Sequence, residues 1–83
     1  MNIPKIKSAE VIDSHTLMVQ FNNDHKKIYD ISSLLEKEMF APLKDISLFK
    51  SVKVDQGGYA LVWNSDIDIS EYELWVHGET MST

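Results

Sequence analysis

The sequence predicts an α+β domain in the order β-β-β-α-β-β-α, with a mainly antiparallel sheet of about five strands and short helices on one face. Three observations carry this. "TLMVQF" (Thr16 to Phe21) alternates apolar and polar residues with period two, the mark of a strand with one buried face. Turn residues separate that stretch from an apolar-polar run on either side, and short turns between strands make an antiparallel meander. Near the C-terminus, Ser70 followed by Glu73 is the signature of a capped helix.

The elements follow in order. Lys5 to Ile12 mixes apolar and polar residues and reads as a first strand. Asp13-Ser14 is turn chemistry, and Leu17, Val19 and Phe21 form the buried set of the second strand. "NNDHK" (Asn22 to Lys26) supplies the Asn and Asp that tight hairpins favour, and "KIYDI" returns as a third strand. Ser32 or Ser33 is placed to cap "LLEKE". Pro42 interrupts helical geometry at Ala41. Asp45 is placed to cap "ISLFKSV", which buries Ile46 and Phe49. "VKVD" (Val52 to Asp55) and "YALVW" (Tyr59 to Trp63) form a hairpin across Gly57-Gly58. Asn64, Ser65 and Asp66 read as a turn, with Asp68 just ahead of the last helix, where a carboxylate suits the helix dipole. That helix spans Glu71 to Val76, with Gly78 stopping it. Residues 1–78 are expected to make one domain, and 79–83 a frayed tail.

Composition narrows the function. The chain has 83 residues, thirteen acidic side chains against eight basic ones, and a formal charge of −5. All eight basic residues are Lys. Phosphate neutralisation and base reading call for clustered Lys and Arg, so nucleic-acid binding by this domain alone is disfavoured. No cysteine is present, which removes disulfides and thiolate ligands. The start "MNIPKIKSAEV" lacks an apolar signal core, and no apolar run approaches the roughly 20 residues of a membrane span. A cytoplasmic protein that binds no membrane is the expectation.

The polar motifs have local explanations. Were Asp66 the first ligand of a calcium loop, the position that requires Gly holds Glu71 and the closing Glu position holds His77. His15, His25 and His77 include no i, i+4 pair of the kind that holds helical zinc. There is no G-x-S-x-G elbow and no phosphate-cradling glycine loop. Ser32, Ser33 and Ser70 read as caps, and Glu36, Glu38, Glu71 and Glu73 as solvated helix residues. A non-enzyme without metal or cofactor is expected. Tyr72 and Trp75, three apart on the final helix, are expected to share a face that packs on the sheet above Trp63. The sharper alternative leaves one of these aromatics exposed with Met39 and Phe40 as an interaction anchor.

The spacing of several motifs resembles the bacterial family known as domain of unknown function 2442. Its strand-end aromatic, strand aspartate and Leu-Leu pair match Phe21, Asp30, Leu34 and Leu35. Its Phe-x-Pro-Leu and Leu-Phe segments match Phe40, Pro42, Leu43, Leu48 and Phe49, and its Val-x-Val-Asp strand and glycine match Val52, Val54, Asp55 and Gly58. Val62, Trp63, Asp68, Ile69 and Leu74 complete the pattern. Asn64 and Asp66 stand where members often have Pro and Gly. Some relatives carry an additional helix-turn-helix domain; these 83 residues hold no such pattern, so DNA binding is not expected to carry over. Members are frequently encoded beside a small basic toxin-like protein, which implies an antitoxin-like partner-binding role. The interaction candidates are Met39, Phe40, Trp63, Asp66, Asp68, Tyr72 and Trp75. The partner is expected to be a small basic protein. Self-association without a separate partner, and a carboxylate-dependent metal enzyme using Asp66, Asp68 and Glu71, are the alternatives.

Overall fold

Side chains that bond to their own main chain set the reversals of this chain. Asp13, Asn23, Asp30, Asp45 and Asn64 each accept a hydrogen bond from the backbone N–H two residues on, at 2.7–3.1 Å. Such bonds hold a turn without help from the rest of the fold. Asp24 adopts a positive φ of 69° in the second turn, a conformation Asp tolerates. The computed structural model describes residues 3–81.

Between these reversals lie β1 (Ile6–Asp13), β2 (Thr16–Phe21) and β3 (Lys26–Asp30), then two 3-10 segments (Leu34–Glu36 and Glu38–Lys44). Helix α1 (Ile46–Lys50) leads to β4 (Lys53–Val54), β5 (Ala60–Asn64) and β6 (Ile67–Ser70), followed by α2 (Glu71–His77) and β7 (Glu79–Thr80). The architecture is α+β, and every strand pair is antiparallel. The strands form two sheets, with orders β1-β2-β3-β7 and β4-β5-β6, rather than one.

The alternation in β2 is realised in full: Leu17, Val19 and Phe21 have no exposed surface. They join Ile31, Leu43, Phe49, Leu61 and Leu74 in one core shared by both sheets. Trp63 stacks on Phe49 with ring centroids 6.1 Å apart, and its Nε1 donates to the Phe49 carbonyl at 2.9 Å. Helix α2 lies against both β3 and β6, and β1 meets β4 and β5. The radius of gyration is 11.9 Å.

Five local expectations change. Of the two α1 residues expected to be buried, Phe49 is fully buried but Ile46 is 39% exposed. Ser33 makes no side-chain cap; Asp30 binds the Ser32 N–H instead. Asp68 sits inside a strand, β6, rather than next to the helix start. The capping box is half made: the Ser70 hydroxyl accepts from the Glu73 N–H at 3.1 Å, but the Glu73 carboxylate bonds elsewhere. Of the expected frayed tail, Glu79 and Thr80 pair with Ile28 and Lys27 as β7, and the Met81 N–H donates to Lys26; residues 82–83 lie outside the described residues.

Candidate functional site

The side chain that diverts Glu73 is Tyr29. An inward-facing tyrosine on β3 buries its ring but needs a partner for its hydroxyl. Tyr29 is 6% exposed, and its hydroxyl donates to Glu73 Oε2 at 2.8 Å, tying β3 to α2. The other Glu73 oxygen lies 3.8 Å from His77 Nε2, one helical turn on. Two grooves share this Tyr29–Glu73 pair. One, of about 440 Å³, is lined also by Asp30, His77 and Glu79. The other, of about 400 Å³, has Leu34, Lys37, Phe40 and the β6 residues Asp68 to Ser70 on its walls. Asp30, Asp68, Glu73 and Glu79 thus face this space against a single lysine, Lys37.

The charges have physical causes. Hydrogen bonding by Ser32, side chain first and then main chain, holds the Asp30 carboxyl below the usual carboxylate range, with His15 adding to the effect. The His15 Nδ1 atom is 3.3 Å from Asp30 Oδ1. Burial, then the bond to Glu73 and its charge, push the Tyr29 phenol well above its ordinary range. Tyr29 therefore remains a proton donor and Asp30 an anion at neutral pH. Among the described residues, no three His, Asp or Glu side chains gather closely enough to hold a metal ion.

The Tyr29–Glu73 bond supports a first prediction. Tyr29→Phe is expected to cost about 1 kcal/mol at neutral pH, the scale of one hydrogen bond. The value is kept low because the Glu73 side chain is 41% exposed and solvent screens the bond. The folded-state pKa of the phenol is raised, so its contribution is complete below about pH 10, where an unfolded phenol titrates. It is lost as pH climbs beyond that value. Urea melts should show the wild type losing stability more steeply than Tyr29→Phe above that pH. Parallel curves would contradict the assignment.

The sequence-predicted candidates divide. Phe40, half-buried, and Asp68, exposed, line the same groove. Met39 projects into solvent, 61% exposed, from the neighbouring 3-10 segment. Asp66 is exposed in the turn, where its N–H is held by Asn64. Trp63 is a core residue and offers no surface anchor. Tyr72 and Trp75 do not share one packed face. Tyr72 is 57% exposed, whereas Trp75 packs edge-on against Phe21 at 5.1 Å, with the Lys27 ammonium over its ring. Tyr29, Asp30, Lys37, Glu73 and Glu79 are not among the sequence-predicted candidates. The one signal for them is a tyrosine at an inward strand position, which requires a polar neighbour from elsewhere.

The chain is thus a small α+β protein with two adjoining surface grooves rich in carboxylates. A family model described as "Protein of unknown function (DUF2442)" matches residues 6–80. The chain belongs to that family. No curated protein and no solved structure matches it.

Proposed function

We propose that this protein is a cytoplasmic interaction module that acts by binding rather than catalysis, antitoxin-like in role, with a small basic protein as partner. The observation that supports this reading is the pair of grooves that share Tyr29 and Glu73, whose linings together hold four carboxylates and one lysine. Such a wall favours Lys and Arg side chains and repels acidic partners. Phe40 and Leu34 add apolar area beside it, and exposed Met39 and Tyr72 extend the contact surface. Among the described residues, no helix is long and apolar enough to cross a membrane.

The test is a calorimetric titration with the product of the neighbouring gene. A complex at micromolar protein or tighter is expected. Asp68→Lys with Glu79→Lys should weaken it about tenfold or more, because rim charges set steering and exclude wrong partners. Raising the salt should weaken the wild-type complex in the same direction. No complex at micromolar concentration sinks the reading.

A second reading, self-association, is favoured by apolar side chains left on the surface, Ile12 of the outer strand β1 being 53% and Met39 61% exposed. A small domain gains stability by covering such side chains with a copy. Light scattering on the free protein from the same titration separates the two; a strictly monomeric mass removes this second reading.

A further inference from the structure

The hydrogen-bond phase of the second sheet determines which main-chain groups of β6 point outward. Glu71 N–H donates to the Tyr59 carbonyl at 2.9 Å, so Tyr59 and Glu71 form a hydrogen-bonded pair. In an antiparallel ladder such pairs alternate with non-bonded ones. Leu61 and Ile69 are therefore the next bonded pair, and the intervening pairs, Ala60 with Ser70 and Val62 with Asp68, exchange no backbone bonds. The Asp55 N–H to Ala60 carbonyl bond at 2.9 Å agrees, since it turns Ala60 toward β4. The N–H and C=O groups of Asp68 and Ser70 consequently face away from β5. No strand lies on that side, because β6 ends the sheet.

Ser70 is the telling residue. A complete capping box would give its N–H the Glu73 carboxylate. Tyr29 holds that carboxylate 2.8 Å away on β3, so the usual capping-box acceptor is committed elsewhere while the ladder phase turns the Ser70 N–H away from β5. The outward edge opens on the groove of about 400 Å³ whose far wall carries Leu34, Lys37 and Phe40. The β1 edge differs. β1 has register shifts between Ile6 and Ser8 and between Val11 and Asp13, and exposes Lys7 and Glu10. Bulges and charges of this kind blunt an edge. The four-residue β6 has a single shift, between its Ile67 and Asp68 pairings, and is regular from Asp68 to Ser70.

We propose that the outer edge of β6 is a strand-addition site, where an extended basic segment of a protein partner pairs with the main chain of Asp68 and Ser70. This deepens the proposed function and rests on it for the sign of the partner's charge. The pleat specifies the pattern of the segment. Ile67 and Ile69 point into the core while Asp68 and Ser70 point out. A neighbouring strand keeps the same alternation, so one set of its side chains meets Leu34 and Phe40 and the other faces Asp68. The fitting segment alternates apolar residues with Lys or Arg. Main-chain bonds supply the grip and the side-chain wall the selectivity.

The probe is a synthetic peptide of about eight residues alternating valine and lysine, with a counterpart N-methylated on the edge-facing amides. Amide hydrogen exchange of the whole chain is read by NMR. With the lysine peptide, exchange at Asp68 and Ser70 is expected to slow by about tenfold or more. The methylated peptide should bind about tenfold more weakly. Asp68→Pro removes one outward N–H and no ladder bond, and is expected to match that loss. Should the variant's spectrum show an altered fold, the methylated peptide still tests the edge on the unaltered protein. Equal binding of the two peptides overturns the proposal, as does protection at β1 or β7 instead. A valine–glutamate peptide that protects Asp68 and Ser70 equally well keeps strand addition and sinks the basic-partner reading. A lysine peptide that perturbs Asp30, Glu73 and Glu79 but leaves those amides unprotected does the reverse. Asp68 and Ser70 already protected in a free protein of doubled mass mean that a second copy occupies the edge, which also overturns the proposal.

Discussion

Replacing Trp63 by alanine is expected to lower the unfolding free energy by about 3–5 kcal/mol, the range for deleting a buried aromatic. Trp63 is 8% exposed and stacks on Phe49, which is fully buried. Its removal leaves a cavity beneath β5 and takes the shorter of two donors from the Phe49 carbonyl, leaving the Val52 N–H at 3.4 Å. A domain of this size holds roughly 4–12 kcal/mol in total at 0.05–0.15 kcal/mol per residue, so the loss is a large share. The thermal midpoint should fall by at least about 12 °C, at 4–8 °C per kcal/mol. Trp63→Phe separates the two contributions. It retains most of the ring packing and removes the indole hydrogen bond while the Val52 N–H still reaches the carbonyl, an expected cost of about 1 kcal/mol. A Trp63→Ala protein with an unchanged midpoint would show that Trp63 is a surface anchor after all.

Gly58→Ala is expected to cost about 2–4 kcal/mol, with strain as the mechanism. Gly58 has a φ of 75°, where a side chain alone costs about 1–2 kcal/mol. A Cβ there also meets the Ile6 carbonyl oxygen at 2.7 Å and Lys5 Cβ at 2.9 Å. The oxygen is main chain and cannot rotate aside. The same glycine accepts the Ile6 N–H at 2.8 Å, so moving it loosens the contact between the β4–β5 turn and the start of β1. Gly57→Ala is the control. Its Cβ meets only the Tyr59 ring, which is 55% exposed and free to swing away, so less than about 1 kcal/mol is expected. Equal denaturation midpoints for the two variants would remove the strain argument.

The elements legible in the sequence are those with a short-range cause. The period-two pattern of Thr16 to Phe21 and the Asp and Asn residues at the reversals point to the first three strands and their turns. The β4–β5 hairpin and the α2 cap are also legible, from Gly57-Gly58 and Ser70. Two strands are not. Ile67 to Ser70 does alternate, but four residues after a turn and before a helix resemble a lead-in as much as a strand. Glu79 and Thr80 carry no apolar signal at all. They become β7 because α2 ends at Gly78, packed on the Lys27 side chain, and delivers the chain beside β3. Trp63 fits both core and anchor in the sequence, since a tryptophan ending a strand serves either use; its bond to Phe49, fourteen positions away, decides for the core.

The candidate surface is the clearest case of this division. Local bonds and alternating burial act over a few residues, so residue order alone specified the turns, the principal strands, the family pattern and the acidic balance. Tyr29 and Glu73 stand 44 positions apart, and no spacing rule links them. Only the packing of α2 across β3 and β6 joins them. That contact commits the Glu73 carboxylate to a phenol rather than to its own helix cap, gathers the remaining acids along two grooves that share the pair, and leaves the Ser70 amide facing outward.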